Sequence, residues 1–290
     1  MQSKRCFVIL SALVFALGLS AAQAKHCLWK VSSKTGTLYL QGSVHILKED
    51  QYPLDPAIEA AYSQSESLVL EVDLSEMNSI AAQQLLMSKA MLVPPASLKT
   101  VLKPETYQAL VTASDEVDLP IAAIQQSEPW FAAMTLTMLA MQKNGFDPQS
   151  GVDKYFYNKA TDDSKPVVGL ETLDFQINLL SRLASMNPDD FVSRSLLDLK
   201  LLNEEMEKLM AAWKTGDIVM LDQLMSESFK DYPDLYNQFI VERNQNWAKV
   251  LSEMLDEKKV YMVVVGAGHF GGEQGLLKLL EQKGYTLEQL

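Results

Sequence analysis

The chain has 290 residues, 37 acidic against 25 basic side chains, a formal charge of −12 and 48% hydrophobic residues. Such acidity leaves no electrostatic footprint for nucleic acid and disfavours anionic membrane surfaces. Two cysteines exclude a disulfide-built scaffold, and the length suits an α/β fold with a large core.

Residues 1–24 carry a basic start (Lys4, Arg5), an apolar run from Cys6 to Leu19 and the small-residue site Ala22-Gln23-Ala24. This pattern reads as a secretory signal peptide cleaved after Ala24, which implies a periplasmic protein with no stable membrane insertion afterwards. Removing Lys4 and Arg5 takes the formal charge from −12 to −14 and leaves Cys27 as the one remaining cysteine. Cys27 opens a strand-like segment, so burial is the expected state of its thiol.

Residues 25–290 read as one α/β domain. Cys27–Val31 and Thr37–Gln41 predict a hairpin around the polar turn at 32–36. A helix follows over 53–65. Leu68-Val69-Leu70-Glu71-Val72-Asp73 is a strand ending in two carboxylates on opposite faces. Helices are expected over 75–91 and 104–117. The stretch 120–144, with Trp130, Phe131, Met134, Met138 and Met141, predicts one buried helix whose methionines are core packing. A helix over 151–160 and a short strand over 166–171 come next. Helices then continue to residue 256, with an amphipathic stripe Leu199, Leu202, Met206, Leu209, Trp213. The chain closes with a strand (260–265), a glycine-rich turn, a helix (275–283) and an extended end. The fold expected is a mixed central sheet built from the N- and C-terminal segments, with a large helical insertion over about 75–257.

Only three histidines occur, and two share one frame: Gly42-Ser43-Val44-His45 and Gly266-Ala267-Gly268-His269. Each follows a strand, with Gly42, Gly266 and Gly268 read as turn glycines. Glu71 ends a third strand, where a buried charge must be paired or coordinated. His45, Glu71 and His269 are expected to converge as a two-histidine, one-carboxylate set with open positions, suited to zinc, manganese, cobalt or iron. The alternatives are unrelated loop histidines and a salt-bridged glutamate. Arg243 fills a gap in the apolar stripe of its helix with Asn244 beside it, so it faces either a structural carboxylate such as Glu71 or Glu171, or a substrate. Gly266–Gly271 matches the dinucleotide fingerprint by letter, but the 19 residues after it leave no room for the strand that motif needs.

The paired Gly-x-x-His frames resemble the TraB/GumN family, related to the Tiki proteases. So do the Leu-Glu-Val-Asp strand, Gly151-Val152-Asp153, Gly169-Leu170-Glu171, Glu242-Arg243-Asn244 with Trp247, and the glycine-rich tail from Val265. The resemblance spans about residues 28–285. It implies the fold shared by Tiki proteins, haem-iron-binding proteins and erythromycin esterases. It also implies a metal-dependent peptidase site with His45, Glu71 and His269 as ligands to a divalent ion (Mn, Co or Zn), Arg243 and Asn244 nearby, and Asp153 and Glu171 behind the ligands. Three functional readings stand at this level. One is a metal-dependent hydrolase of peptides or small molecules with Glu71 as ligand or general base. The second is a non-enzymatic binding protein for a peptide, metal or haem-like ligand. The third is an esterase with a histidine base. Oligomeric state has no sequence signal.

Overall fold

The computed structural model describes residues 25–290, so the signal-peptide segment lies outside the described residues. Six strands, β1 (Leu28–Ser32), β2 (Thr37–Ser43), β3 (Ser67–Leu70), β4 (Val167–Gly169), β5 (Val260–Gly266) and β6 (Thr286–Gln289), form one mixed sheet in the order β4-β3-β5-β2-β1-β6. β2, β5, β3 and β4 run parallel, while β1 pairs antiparallel with both β2 and β6. The first and last segments therefore meet at the centre of the sheet, as β2 beside β5. Leu38, Leu40 and Met262–Val265 are fully buried there, as expected for parallel strands covered on both faces.

The helices number thirteen among the described residues. They are α1 (Pro56–Gln64), α2 (Ile80–Ala90), α3 (Leu98–Val101), α4 (Pro104–Glu116), α5 (Ile121–Ile124), α6 (Pro129–Lys143) and α7 (Val152–Asp162). After β4 come α8 (Leu173–Ser181), α9 (Pro188–Thr215), α10 (Ile218–Ser228), α11 (Pro233–Tyr236), α12 (Glu242–Asp256) and α13 (Leu276–Gln282). Local chemistry sets their ends. Asp55 caps α1 through Ala57 N–H, and Pro56 occupies its first position. Asn187 caps α9 and Gly216, at φ 62°, closes it in the left-handed conformation. No described helix is long and apolar enough to cross a membrane.

Three expectations are corrected. The helix over 75–91 divides into a 3-10 turn (Leu74–Asn78) and α2, because Asp73 caps the turn and Ser79 caps the helix anew. The stretch 120–144 divides into α5 and α6, with Pro129 starting the second. The methionines of α6 are not core: Met134 is 40% exposed and Met138 is partly buried, whereas Trp130, Ala132, Ala133 and Leu136 supply the buried face. A second apolar cluster, Leu98, Leu102, Leu110, Ile124, Leu136 and Val192, holds the helical insertion together away from the sheet.

The turn-glycine reading is also replaced for Gly42, whereas Gly266 and Gly268 do stand at the 3-10 turn Ala267–His269. None of Gly42, Gly266 and Gly268 has a positive φ. Gly42 lies inside β2, where a Cβ would meet the Cys27 sulfur and stand 3.0 Å from the Ala267 side chain. Its lack of a side chain serves close approach, not backbone freedom. Gly42→Ala is therefore expected to cost about 1–3 kcal/mol by overpacking, read as a lower urea midpoint at unchanged slope. Cys27→Ala in the same chain should recover part of that loss, because it removes the sulfur.

Candidate functional site

The carboxyl ends of β2, β3, β4 and β5 deliver His45, Glu71, Glu171 and His269 to one place. Parallel strands put their ends on one edge, which is where open α/β sheets bind ligands. A cavity of about 440 Å³ opens there, with His45, Glu71 and Asp153 among its lining.

His45 is more than half exposed. Its Nδ1 lies 3.1 Å from Asp153 Oδ1, on the first turn of α7, and Ser43 donates to the same oxygen at 3.0 Å. Its Nε2 faces Glu71 Oε1 at 3.8 Å. Desolvation pulls the imidazole's pKa down, but the hydrogen bond and charge of Asp153 and the charge of Glu71 outweigh it and raise the value to about 9.

Glu71 stands one residue past β3. Oε1 accepts from Gly266 N–H at 2.8 Å, and Oε2 accepts from Arg243 Nη2 at 2.6 Å and Gln176 Nε2 at 3.1 Å. Burial raises its pKa, yet His45, Arg243, His269 and the Gly266 amide together hold it down at about 2. Glu71 is thus a fixed anion. A carboxylate of such low proton affinity is poorly matched to a general base working near neutrality.

Arg243, on α12, is 7% exposed. Nε donates to Glu171 Oε1 at 3.0 Å, and Nη2 donates to Glu171 Oε2 at 3.0 Å as well as to Glu71. Nη1 donates to the Phe239 carbonyl and to His269 Nε2, both at 3.2 Å. The guanidinium also lies 4.5 Å from the Trp247 ring, whose Nε1 donates to Glu171 at 3.0 Å. An arginine has five N–H donors, and all five are engaged. Arg243 therefore has no donor free for a substrate oxygen. It is a positioning residue for the two carboxylates.

His269 is 5% exposed and lies 4.5 Å from Trp247 between ring centres. With Nε2 accepting from Arg243, Nδ1 carries the proton and donates to Asn244 Oδ1 at 2.7 Å. Asn244 is fully buried, and its amide donates to the carbonyls of His269 and Gln274. Asn244 thus orients His269 and its own groups are spent. Burial chiefly, with Arg243 and His45 adding to it, lowers the His269 pKa to about 3 against the opposing pull of Glu71, so the ring is neutral.

The structure thus gathers all seven side chains read from sequence, with unequal access. His45, Glu71 and Asp153 line the cavity; Arg243, Asn244, His269 and Glu171 stand behind them. His45 Nε2 and Glu71 Oε1 are close enough for one divalent ion at about 2.0–2.2 Å from each. A Cβ on Gly266 would stand 3.3 Å from Glu71 Oε1 and 3.5 Å from His45 Nε2, so glycine leaves that space open. His269 is not a third donor here, because Nε2 is turned onto a cation. No group of three or more His, Cys, Asp or Glu side chains among the described residues is arranged to hold a metal. The edge between His45 and Glu71 fits an ion; the three-residue set does not assemble.

Sequence reasoning missed Gln176 of α8, which donates to Glu71 and, at 3.3 Å, to Glu171. It also missed the cavity wall of Leu74, Met77, Met138 and Leu173. The only available signal was the apolar content of segments that had no other marked role.

Residues 27–289 match the TraB/PrgY/gumN family, and the chain belongs to that family. It is 26% identical over 245 residues to the uncharacterized protein YbaP of Escherichia coli K12, covering 83% of this chain and 87% of that protein, with the same figures for YbaP of Shigella flexneri. A shorter match, 32% identical over 66 residues, covers 22% of this chain and 12% of a "Metalloprotease TIKI homolog" from Amphimedon queenslandica. No solved structure matches the chain.

Two outcomes follow from the geometry. Arg243→Ala leaves Glu71 and Glu171 buried without their cation and is expected to cost about 3–5 kcal/mol in denaturant unfolding. For pH, His269 has a folded pKa below its ordinary 6.5. The unfolded chain binds more protons between 6.5 and about 3, so the His269 contribution is full above 6.5 and is lost as pH falls through that window. The slope for one proton is about 1.4 kcal/mol per pH unit. His269→Asn should flatten this limb of the stability profile between pH 6.5 and 4.5, above the range where Glu71 titrates.

Proposed function

We propose that this protein is a periplasmic hydrolase of peptides, with His45 and Glu71 as the reactive pair. The observation that carries the reading is the half-exposed His45 Nε2, aimed at an ionised Glu71 oxygen 3.8 Å away inside a cavity at the strand ends. Membership of the TraB/PrgY/gumN family and the short match to a protein named as a metalloprotease support it. The signal-like pattern of residues 1–24 supports the location. The family match and the mixed sheet with its helical insertion support proposing a Tiki-like and erythromycin-esterase-like arrangement.

Asp153 holds the His45 ring by Nδ1 and leaves Nε2 as the nitrogen that meets the substrate. The carboxylates of Asp153 and Glu71 raise the proton affinity of the ring, so His45 holds a proton at Nε2 at neutral pH; as water adds to the scissile carbonyl, Nε2 gives that proton to the leaving nitrogen or oxygen and takes one back from the attacking water. Arg243 fixes the Glu71 carboxylate from behind, so its free edge faces His45 without rotamer loss at each turnover. Gln176 holds the same carboxylate from the α8 side. A divalent ion (Mn, Co or Zn) would be held by Glu71 and by His45 Nε2 in place of that proton, and in that state it would supply Lewis-acid polarisation of the scissile carbonyl.

His45→Ala is expected to lower hydrolysis by roughly 10²–10⁴-fold while the protein stays folded at assay temperature, with the thermal midpoint lowered by the loss of the protonated ring facing Asp153 and Glu71. Asp153→Asn should give an intermediate loss, read as kcat. Undiminished turnover of a peptide library by purified His45→Ala protein defeats the proposal. So does full activity in Glu71→Gln.

A further inference from the structure

The cavity combines polar and apolar lining. His45, Glu71, Asp153, Lys154 and Gln176 give it polar groups. Leu74, Met77, Met138 and Leu173 give it an apolar patch drawn from three separate parts of the chain. Met77 lies on the 3-10 turn after β3, Met138 near the end of α6 and Leu173 at the start of α8. Met77 keeps 52% of its surface exposed, and Met138 and Leu173 are only partly buried. A folded chain gains by burying such side chains, so their shared exposure at one cavity offers a surface for an apolar occupant. The polar groups and this apolar patch share one cavity of about 440 Å³. That is inside the range of about 300–1,000 Å³ usual for ligand pockets.

From this shared lining we infer that the substrate carries a bulky apolar side chain next to the bond that is cleaved, and that Met77 and Met138 recognise it. The inference rests on the hydrolase reading for the bond, but the apolar recognition is a separate property. Thioether side chains are unbranched and adapt their shape. Recognition is accordingly for a class, with leucine, methionine and phenylalanine accepted alike and serine, glycine and glutamate rejected.

The test uses the peptides acetyl-Ala-X-Ala-Ala-amide with X = Leu, Phe, Ser and Glu. Cleavage is followed by amine release with the wild-type protein supplied with manganese, and binding by calorimetry on His45→Ala protein. The expected result is a kcat/KM for Leu and Phe at least tenfold above Ser and Glu, of the size set by a few methylenes in an apolar pocket. Binding should follow the same order. Met77→Gln, at an exposed position that keeps the fold, and Met138→Gln should each shrink the Leu/Ser ratio at least threefold. Equal handling of Leu and Ser, or a ratio unmoved by both substitutions, overturns the inference while leaving hydrolysis intact. Leu and Phe peptides that bind in order but are never cleaved uphold the inference and overturn the hydrolase reading. No order in binding and no cleavage overturns both.

Discussion

The five hydrogen bonds donated by Arg243 are the constraint on which the site depends. Two carboxylates, Glu71 and Glu171, approach each other in a largely buried place, where like charges repel strongly and water does little to screen them. Arg243 sits between them, with the bidentate fork toward Glu171 and one N–H on Glu71. Its remaining nitrogen holds His269. One side chain from α12 thereby ties the ends of β3, β4 and β5 together. The ionised state of Glu71 follows from this clamp, and the high proton affinity of His45 follows from Glu71 and Asp153 in turn. The buried cluster costs desolvation, so its net contribution lies in fixing geometry more than in adding stability.

The two histidines show how an identical local frame acquires opposite properties. β2 and β5 run parallel with Gly42 opposite Val265 and Ser43 opposite Gly266, so the two Gly-x-x-His frames are out of step by one residue. Side chains alternate along a strand, and one step exchanges the faces. Gly42 accordingly looks toward Cys27 and Ala267, whereas Gly266 looks into the space among Glu71, His45 and His269. Beyond the strands, His45 emerges against Asp153 and the cavity. His269 turns under α12 onto Asn244, Arg243 and Trp247. One ring keeps its proton because carboxylate neighbours stabilise the cation, and the other is held neutral by burial and a neighbouring cation.

The helical insertion does more than cover the sheet. Its own apolar cluster lets it stand over the strand ends without closing on them, and that leaves room for the cavity. Pro129 and the caps at Asp73 and Ser79 break what would otherwise be longer helices, and these breaks set Met77 and Met138 on the cavity side. Apolar periodicity identifies a face that avoids water; it does not distinguish a face turned to the core from one turned to a ligand.

By itself the sequence determined the strand segments, the meeting of the two ends of the chain in one α/β sheet, and the residue types of the site. Those features are local, because they rest on apolar runs, caps and two repeated motifs within short windows. It also placed Arg243 on an inward helix face, since a charged residue inside an apolar stripe is visible at helical spacing. Only the tertiary structure decided that Arg243 and Asn244 have no donor left for a substrate, that His269 is a neutral acceptor behind the site, and that Gly42 serves close packing. It also decided that Gln176 and the methionines belong to the cavity. Those properties depend on which side chain takes which hydrogen bond across 25 to 172 positions of chain, and no local pattern encodes that pairing.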